Sequence, residues 1–184
     1  MSPTIFDLPV LIGDGRDEFH PVSPSQVTMT QLMAPQDTNL MGNVFGGVIL
    51  AAVDRIAYVC ATRHAGRPCV TASFDQVDFR SPIQIGEVVT VRASVNTVGR
   101  TSMEIGVRVT AEPVTGGESR HTNSCYVTMV ALSPDGRPCT VPKLEIRTED
   151  EYRRYRDAEE RREARLELAK RRQSRRELRS GESC

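Results

Sequence analysis

The stretch from Gly46 to His64, GGVILAAVDRIAYVCATRH, constrains the fold more than any other part of the chain. Val48, Ile49, Leu50, Ala51, Ala52, Val53, Ile56, Ala57, Val59, Cys60 and Ala61 leave no wide polar stripe at helical spacing. The pattern predicts a long helix, buried on most of its surface. One sheet covers only one side of a helix. Either a sheet wraps around this one, or a second subunit covers the rest, or both.

Strands surround the helix in the chain. Ser25 to Met33 reads as one. After the helix, Cys69 to Phe79 carries Val70, Ala72 and Phe74 in alternation, then Val77 and Phe79 in the opposite phase. That slip at Asp75-Gln76 predicts a β-bulge. Glu87 to Val98, Met103 to Ala111 and Ser119 to Leu132 alternate cleanly. Gly99-Arg100 and Pro113–Gly117 fall between them as hairpin turns, so these three strands are antiparallel neighbours. The order is strand, long helix, four strands, an α+β arrangement.

Residues 1–24, with Pro3, Pro9, Gly13, Gly15, Pro21 and Pro24, read as an irregular arm laid over the domain. Residues 25–146 hold nearly all the periodic apolar sequence. Residues 147–184 form a charged helical tail opened by Thr148-Glu149-Asp150-Glu151, a cap with acids in the first turn. The tail's apolar positions make no stripe. It is expected to be a solvated helix, dispensable for folding and chemistry.

The whole chain of 184 residues has 24 basic and 24 acidic side chains, a net charge of zero. That balance gives no reason to expect nucleic acid or an anionic membrane as partner. No apolar run approaches the roughly 20 residues that span a bilayer, and the N-terminus lacks the pattern of a secretory signal. The five cysteines, Cys60, Cys69, Cys125, Cys139 and Cys184, are odd in number and include no C-x-x-C pair. Reduced thiols in a cytoplasm fit best, with no metal site of the usual spacing.

Asp54 is the residue that asks for a function. A lone carboxylate inside an apolar helix is costly unless it is hydrogen-bonded or used. Its i+4 neighbour is Tyr58, so the usual intrahelical ion pair is missing; a pairing with Arg55 or Arg63 is the plainer alternative. Buried carboxylates serve as general bases. Asn43-Val44-Phe45-Gly46-Gly47 precedes the helix. Two glycines there let a ligand approach unpaired N–H groups, whose dipole favours an oxygen that becomes negative. Asn43 alone reads equally as a cap. Gly47 and Asp54 are seven residues apart, on one helix face. Gly99-Arg100-Thr101-Ser102 is a turn whose amides and guanidinium suit a phosphate, although an ordinary turn explains it locally. His20, His64 and His121 form no visible cluster, and no nucleophile elbow or P-loop occurs.

Several motifs in order now match a family. They are Met33-Ala34-Pro35-Gln36-Asp37-Thr38-Asn39, Gly42-Asn43-Val44-Phe45-Gly46-Gly47, Val53-Asp54, Val77-Asp78-Phe79, Pro82-Ile83, Gly86-Glu87-Val88-Val89, Val98-Gly99-Arg100-Thr101-Ser102, Pro138 and Val141-Pro142. From about 27 to 143 the chain resembles the acyl-CoA thioesterases of the hotdog superfamily, in particular the bacterial short-to-medium-chain and brain-type hydrolases. The resemblance implies an antiparallel sheet curved round one long helix, homodimers often assembled as trimers of dimers, and hydrolysis of acyl-CoA to a free acid and CoA without metal or cofactor. It implies that Asp54 acts as base toward water or as nucleophile through a mixed anhydride. Asn43, a position that is Asp in some relatives, would orient water or substrate. Phe45, Gly46 and Gly47 would meet the thioester, and Gly99, Arg100, Thr101 and Ser102 would lie beside pantetheine or phosphate at a subunit interface. A hotdog dehydratase needs a catalytic His, and His64 lies far down the helix. A non-catalytic acyl-CoA sensor has no need of Asp54. A regulatory domain of a transcription factor would carry a DNA-binding module, and none is seen.

Overall fold

The computed structural model describes residues 10–11, 18–75 and 77–181. In chain order the elements are β1 (Val10–Leu11), β2 (Phe19–Pro21), β3 (Val27–Leu32), α1 (Gly46–Ala65), β4 (Cys69–Phe74), β5 (Glu87–Val98), β6 (Ser102–Pro113), β7 (Arg120–Ala131), β8 (Lys143–Ile146) and α2 (Glu149–Gly181). One five-stranded antiparallel sheet runs in the order β3-β5-β6-β7-β4. The period of two in the long strands sends Val89, Val91, Ala93 and Val95 of β5 to one face. Met103, Ile105, Val107 and Val109 of β6 and Cys125, Val127 and Met129 of β7 join them, all buried. That face receives α1 through Ile49, Ala52, Val53, Ile56, Ala57, Cys60 and Ala61. Cys60 and Cys125 sit in this core. Burial pushes each thiol up to about 12, so both stay protonated and inert.

α1 is not buried all round in the single chain. Ala51, Arg55 and Tyr58 make an exposed stripe on the side away from the sheet. The helix stops at Gly66, whose φ of 65° a side chain would strain, and its N–H caps the Thr62 carbonyl at 2.9 Å.

Three expectations need correction. β4 ends at Phe74, and the Val77–Phe79 segment lies outside it; Gln76 is outside the described residues. The ladder is irregular instead between Thr71 and Ser73, against β7. Second, the arm is not wholly irregular. β2 pairs parallel with β8 and β1 antiparallel to it, making a second, three-stranded sheet. β8 is only four residues long, too short for its alternation to register in the sequence, although Leu144 and Ile146 are buried.

The third correction concerns the tail. Its start follows the capping expectation. Thr148 Oγ1 accepts the Glu151 N–H at 3.2 Å, while the Glu151 carboxylate accepts the Thr148 and Arg147 amides at 3.2 and 2.8 Å. The first turns then dock on the outer face of the sheet. Ala158 is fully buried, and Tyr152 and Tyr155 pack against the core. Arg161 lies over the Tyr126 ring at 3.5 Å. Arg161 and Arg165 reach Glu104 of β6 at 2.7 and 2.8 Å.

The histidines are also closer than the sequence suggests. The rings of His20 and His64 are 5.7 Å apart, edge to face. His64, buried at the end of α1, donates from Nε2 to the Pro142 carbonyl at 3.1 Å. Burial, helped by the nearby His20, holds its pKa below the usual 6.5 against the pull of that hydrogen bond. The folded state therefore binds fewer protons than the unfolded chain. Its contribution is complete above pH 6.5 and is lost on acidification. The urea midpoint is expected to fall between pH 7 and pH 5, and His64→Gln to flatten that segment. An equally steep fall in the variant excludes His64 as its source.

Candidate active site

The loop before α1 is stitched to itself and to the next loop. Asp37 Oδ2 accepts the Ala34 N–H at 2.8 Å, and the Asp37 carbonyl accepts the Phe45 N–H at 2.7 Å. Asn39 Oδ1 accepts the amides of Met41 and Asn43 at 2.9 and 3.2 Å. Backbone amides only donate, so the accepting atom must be oxygen. The Asn39 NH₂ is thereby turned outward as a free donor, on an exposed loop. Asn43 pairs with Gln84 through an antiparallel bridge, and Gln84 Nε2 donates to Asn43 Oδ1 at 2.7 Å.

Phe45 is the N-cap of α1 and more than half exposed. Its N–H is taken by Asp37, and its carbonyl by Val48 at 2.9 Å. The amides of Gly46 and Gly47 lie between, at the open end of the helix. The glycines leave room for two exposed aromatic rings. A Cβ on Gly47 would sit 2.5 Å from the Phe45 ring, and one on Gly46 would sit 3.3 Å from the Phe79 ring.

Asp54 is half-buried, not deeply buried, because it faces the sheet's edge strand and not its centre. Thr71 of β4 donates from Oγ1 to Asp54 Oδ1 at 2.6 Å. Neither arginine neighbour is needed to explain the carboxylate. Arg55 Nε instead donates to its own helix, at the Ala51 carbonyl, and Arg63 Nη1 turns to the Gln26 carbonyl. Thr71 and Asn39 are partners that sequence reasoning missed. Thr71 carries no local signal, since it becomes relevant only when β4 is laid beside α1.

The structure brings Asn43, Phe45, Gly46 and Gly47 together at one end of α1 and puts Asp54 two turns along it. It does not bring Gly99–Ser102 to them. The Gly99 N–H closes that hairpin on the Ser102 carbonyl at 2.7 Å, and the Arg100 carbonyl accepts the Val141 N–H at 3.1 Å. Pro142 is next to it and holds His64, so this turn belongs to the C-terminal end of α1. A 20-residue helix is about 30 Å long, which separates the turn from Gly46 within one chain. A cavity of about 340 Å³ beside the turn is lined by Thr97, Gly99, Ser102, Glu104, Arg162 and Arg165. Among the described residues no group of His, Cys, Asp and Glu is arranged to hold a metal ion. Among them, too, no helix is long and apolar enough to cross a membrane.

One long helix on the inner face of a five-stranded antiparallel sheet, with a carboxylate at mid-helix and glycines at its open end, is the hotdog arrangement of a thioester hydrolase. The pattern of the thioesterase superfamily matches residues 41–117. Protein VdlD of Helicobacter pylori is 43% identical over 141 residues, which cover 77% of this chain and 80% of that protein. A crystal structure of an apo-hexameric acyl-CoA thioesterase superposes with a TM-score of 0.80 at 41% identity, covering 83% of this chain and 97% of that one. The acyl-CoA hydrolase of Staphylococcus aureus, in complex with butyryl-CoA, CoA and CoA disulfide, gives 0.76 at 35% identity over 83% and 95%. That hydrolase is also known with one asparagine, one aspartate or one threonine replaced by alanine. The chain belongs to the thioesterase superfamily of hotdog-fold hydrolases.

Proposed function

We propose that the protein hydrolyses acyl-CoA to a carboxylic acid and CoA in a site shared by two subunits, with Asp54 as the catalytic carboxylate. The observation that carries this is the Asp54–Thr71 contact on a helix whose N-terminal amides are open. Acting as base, Asp54 takes a proton from water as its oxygen attacks the thioester carbon. The carbonyl oxygen becomes negative against the Gly46 and Gly47 amides. The C–S bond then breaks, and the departing CoA thiolate recovers the proton. The same carboxylate serves a nucleophilic route through a mixed anhydride. Asn43 orients water or substrate, and Phe45 borders the acyl entrance.

The three residues replaced in the S. aureus variants are an asparagine, an aspartate fifteen positions later and a threonine seventeen after that. Asn39, Asp54 and Thr71 repeat both intervals here. This supports Thr71 as the group that orients the Asp54 carboxylate and Asn39 as a further donor beside Asn43.

Sharing between subunits is supported by the stripe of α1 that the single chain leaves uncovered, Ala51, Arg55 and Tyr58. A second chain covers it. The exposed edge strand β4, with Val70 and Phe74, and the exposed Tyr58 of α1 provide the surface for it. The same pairing lets Gly99, Arg100, Thr101 and Ser102 of another subunit reach the CoA. A cytoplasmic homodimer, assembled further as a trimer of dimers, completes the reading, supported by the hexameric state of one relative.

Thiol release from a panel of acyl-CoA substrates tests the activity directly. Sharing is tested by mixing. One chain carries Asn39→Ala with Asn43→Ala, the other carries Asp54→Ala, and the two are unfolded and reassembled together. Half the dimers are mixed, each with one intact site of two, so about a quarter of wild-type activity is expected to return. No recovery, with mixed dimers shown to form, places the residues in one subunit.

A further inference from the structure

The loop that carries Asn39 and Asn43 is held from outside by a chain of contacts that ends on β7. Arg120 of β7 makes a forked ion pair with Glu87 at the start of β5, with one arm at 2.7 Å. It also reaches Ser81 Oγ at 3.1 Å and the Pro82 carbonyl at 2.6 Å. The guanidinium depresses the Glu87 pKa below its usual value, chiefly by hydrogen bonding, so the pair stays charged. Glu87 Oε2 in turn accepts the backbone N–H of Gln84 at 2.8 Å. Gln84 then holds the catalytic loop twice, by its bridge to Asn43 and by its side chain on Asn43 Oδ1. The neighbouring Ile83 carbonyl accepts the Val44 N–H at 2.8 Å. Asn43 passes the constraint on, because its own N–H and carbonyl are bonded to Asn39 Oδ1 and the Asn39 N–H.

We propose that Gln84 is a positioning residue for the hydrolysis. Clamped to the Glu87–Arg120 pair, it holds the carboxamides of Asn43 and Asn39 in place at the mouth of α1. The proposal rests on the hydrolase reading above. It has a chemical side as well as a steric one. With Gln84 donating, the oxygen of Asn43 is occupied and its NH₂ is the group left for water or substrate. A side chain at position 84 that only accepts would reverse the Asn43 carboxamide and present its oxygen instead. Small misplacements of a positioning group cost rate more than binding.

Three variants test it in the full-length protein, with butyryl-CoA as substrate. Gln84→Met keeps the shape without the hydrogen bond. Gln84→Glu offers a carboxylate where a donor is needed. The third adds Gln84→Met to Asn43→Ala. We expect kcat to fall about tenfold in Gln84→Met and further in Gln84→Glu, with KM within about twofold of wild type. In the Asn43→Ala background Gln84→Met should cost less than about twofold, because its route to the site is already cut. Thermal melting within a few degrees of wild type shows that the variants are folded, and a loop that serves stability alone would shift melting without splitting kcat from KM. Wild-type kcat in folded Gln84→Met, or losses that multiply in the double variant, overturn the positioning role. Absence of turnover in the wild-type protein overturns the hydrolase reading itself, and the proposal with it.

Discussion

Asp54→Asn is expected to lower the hydrolysis of acyl-CoA by at least about a hundredfold, in a protein that still folds and assembles. Asparagine matches aspartate in shape and still accepts the hydrogen bond that Thr71 Oγ1 donates at 2.6 Å. What it loses is the ability to take a proton or to attack a carbonyl carbon. The loss should fall on kcat, since a group that takes a proton or attacks carbon acts as the thioester reacts. Thr71→Val is the companion variant. It leaves the carboxylate present and removes the hydroxyl that fixes its rotamer, so a smaller loss, on the order of tenfold, is expected. Thiol release at saturating substrate checks both. Near-normal turnover by folded Asp54→Asn protein would remove the carboxylate from the chemistry. It would leave the glycine amides and the loop carboxamides as a binding site only.

The prominence of Asp54 was readable because it breaks a pattern. It is the one acid in an otherwise apolar and basic helix, and an apolar helix makes any carboxylate conspicuous. The limits of β5, Glu87 to Val98, were readable for a similar reason, since four alternating apolar positions end against a glycine turn. Thr71 was not readable. A threonine on a strand is ordinary, and its meaning depends on β4 crossing to the far edge of the sheet beside β7. Asn39 sat in a stretch rich in turn-forming residues, where asparagine is expected for backbone reasons alone. Its role emerges only from the two amides that fix which end of its carboxamide faces outward. Glu104 was hidden by a rule that usually works. Within Met103-Glu104-Ile105 the alternation assigns the glutamate to the outer face, and outer faces of antiparallel sheets commonly meet water. Here a helix from 57 positions further along covers it.

That cover sets the second large effect. Glu104 is 1% exposed at its side chain, and its carboxylate is met by Arg161 at 2.7 Å, Arg165 at 2.8 Å and Asn96 at 3.3 Å. Arg165 also pairs with Asp75 at 2.5 Å, which ties the helix to the end of edge strand β4. Replacing Arg161 and Arg165 by methionine keeps the apolar stems and removes both cations. A buried carboxylate without its partners costs about 3–5 kcal/mol. The double variant is therefore expected to lose roughly 3 kcal/mol in denaturant unfolding, limited by the alternative of letting α2 lift off and water reach Glu104. Adding Glu104→Met should restore most of the loss, because the charge is then gone with its partners. Cutting the chain after Arg147 is a different experiment. It uncovers Glu104 to water and removes the burial of Ala158, Tyr152 and Tyr155 without stranding a charge. Truncation should thus destabilise at least as much as the two arginine substitutions, because a double variant that lifts α2 off reaches the same uncovered state. A double arginine variant as stable as wild type would mean that the ion cluster contributes nothing and that packing alone docks α2.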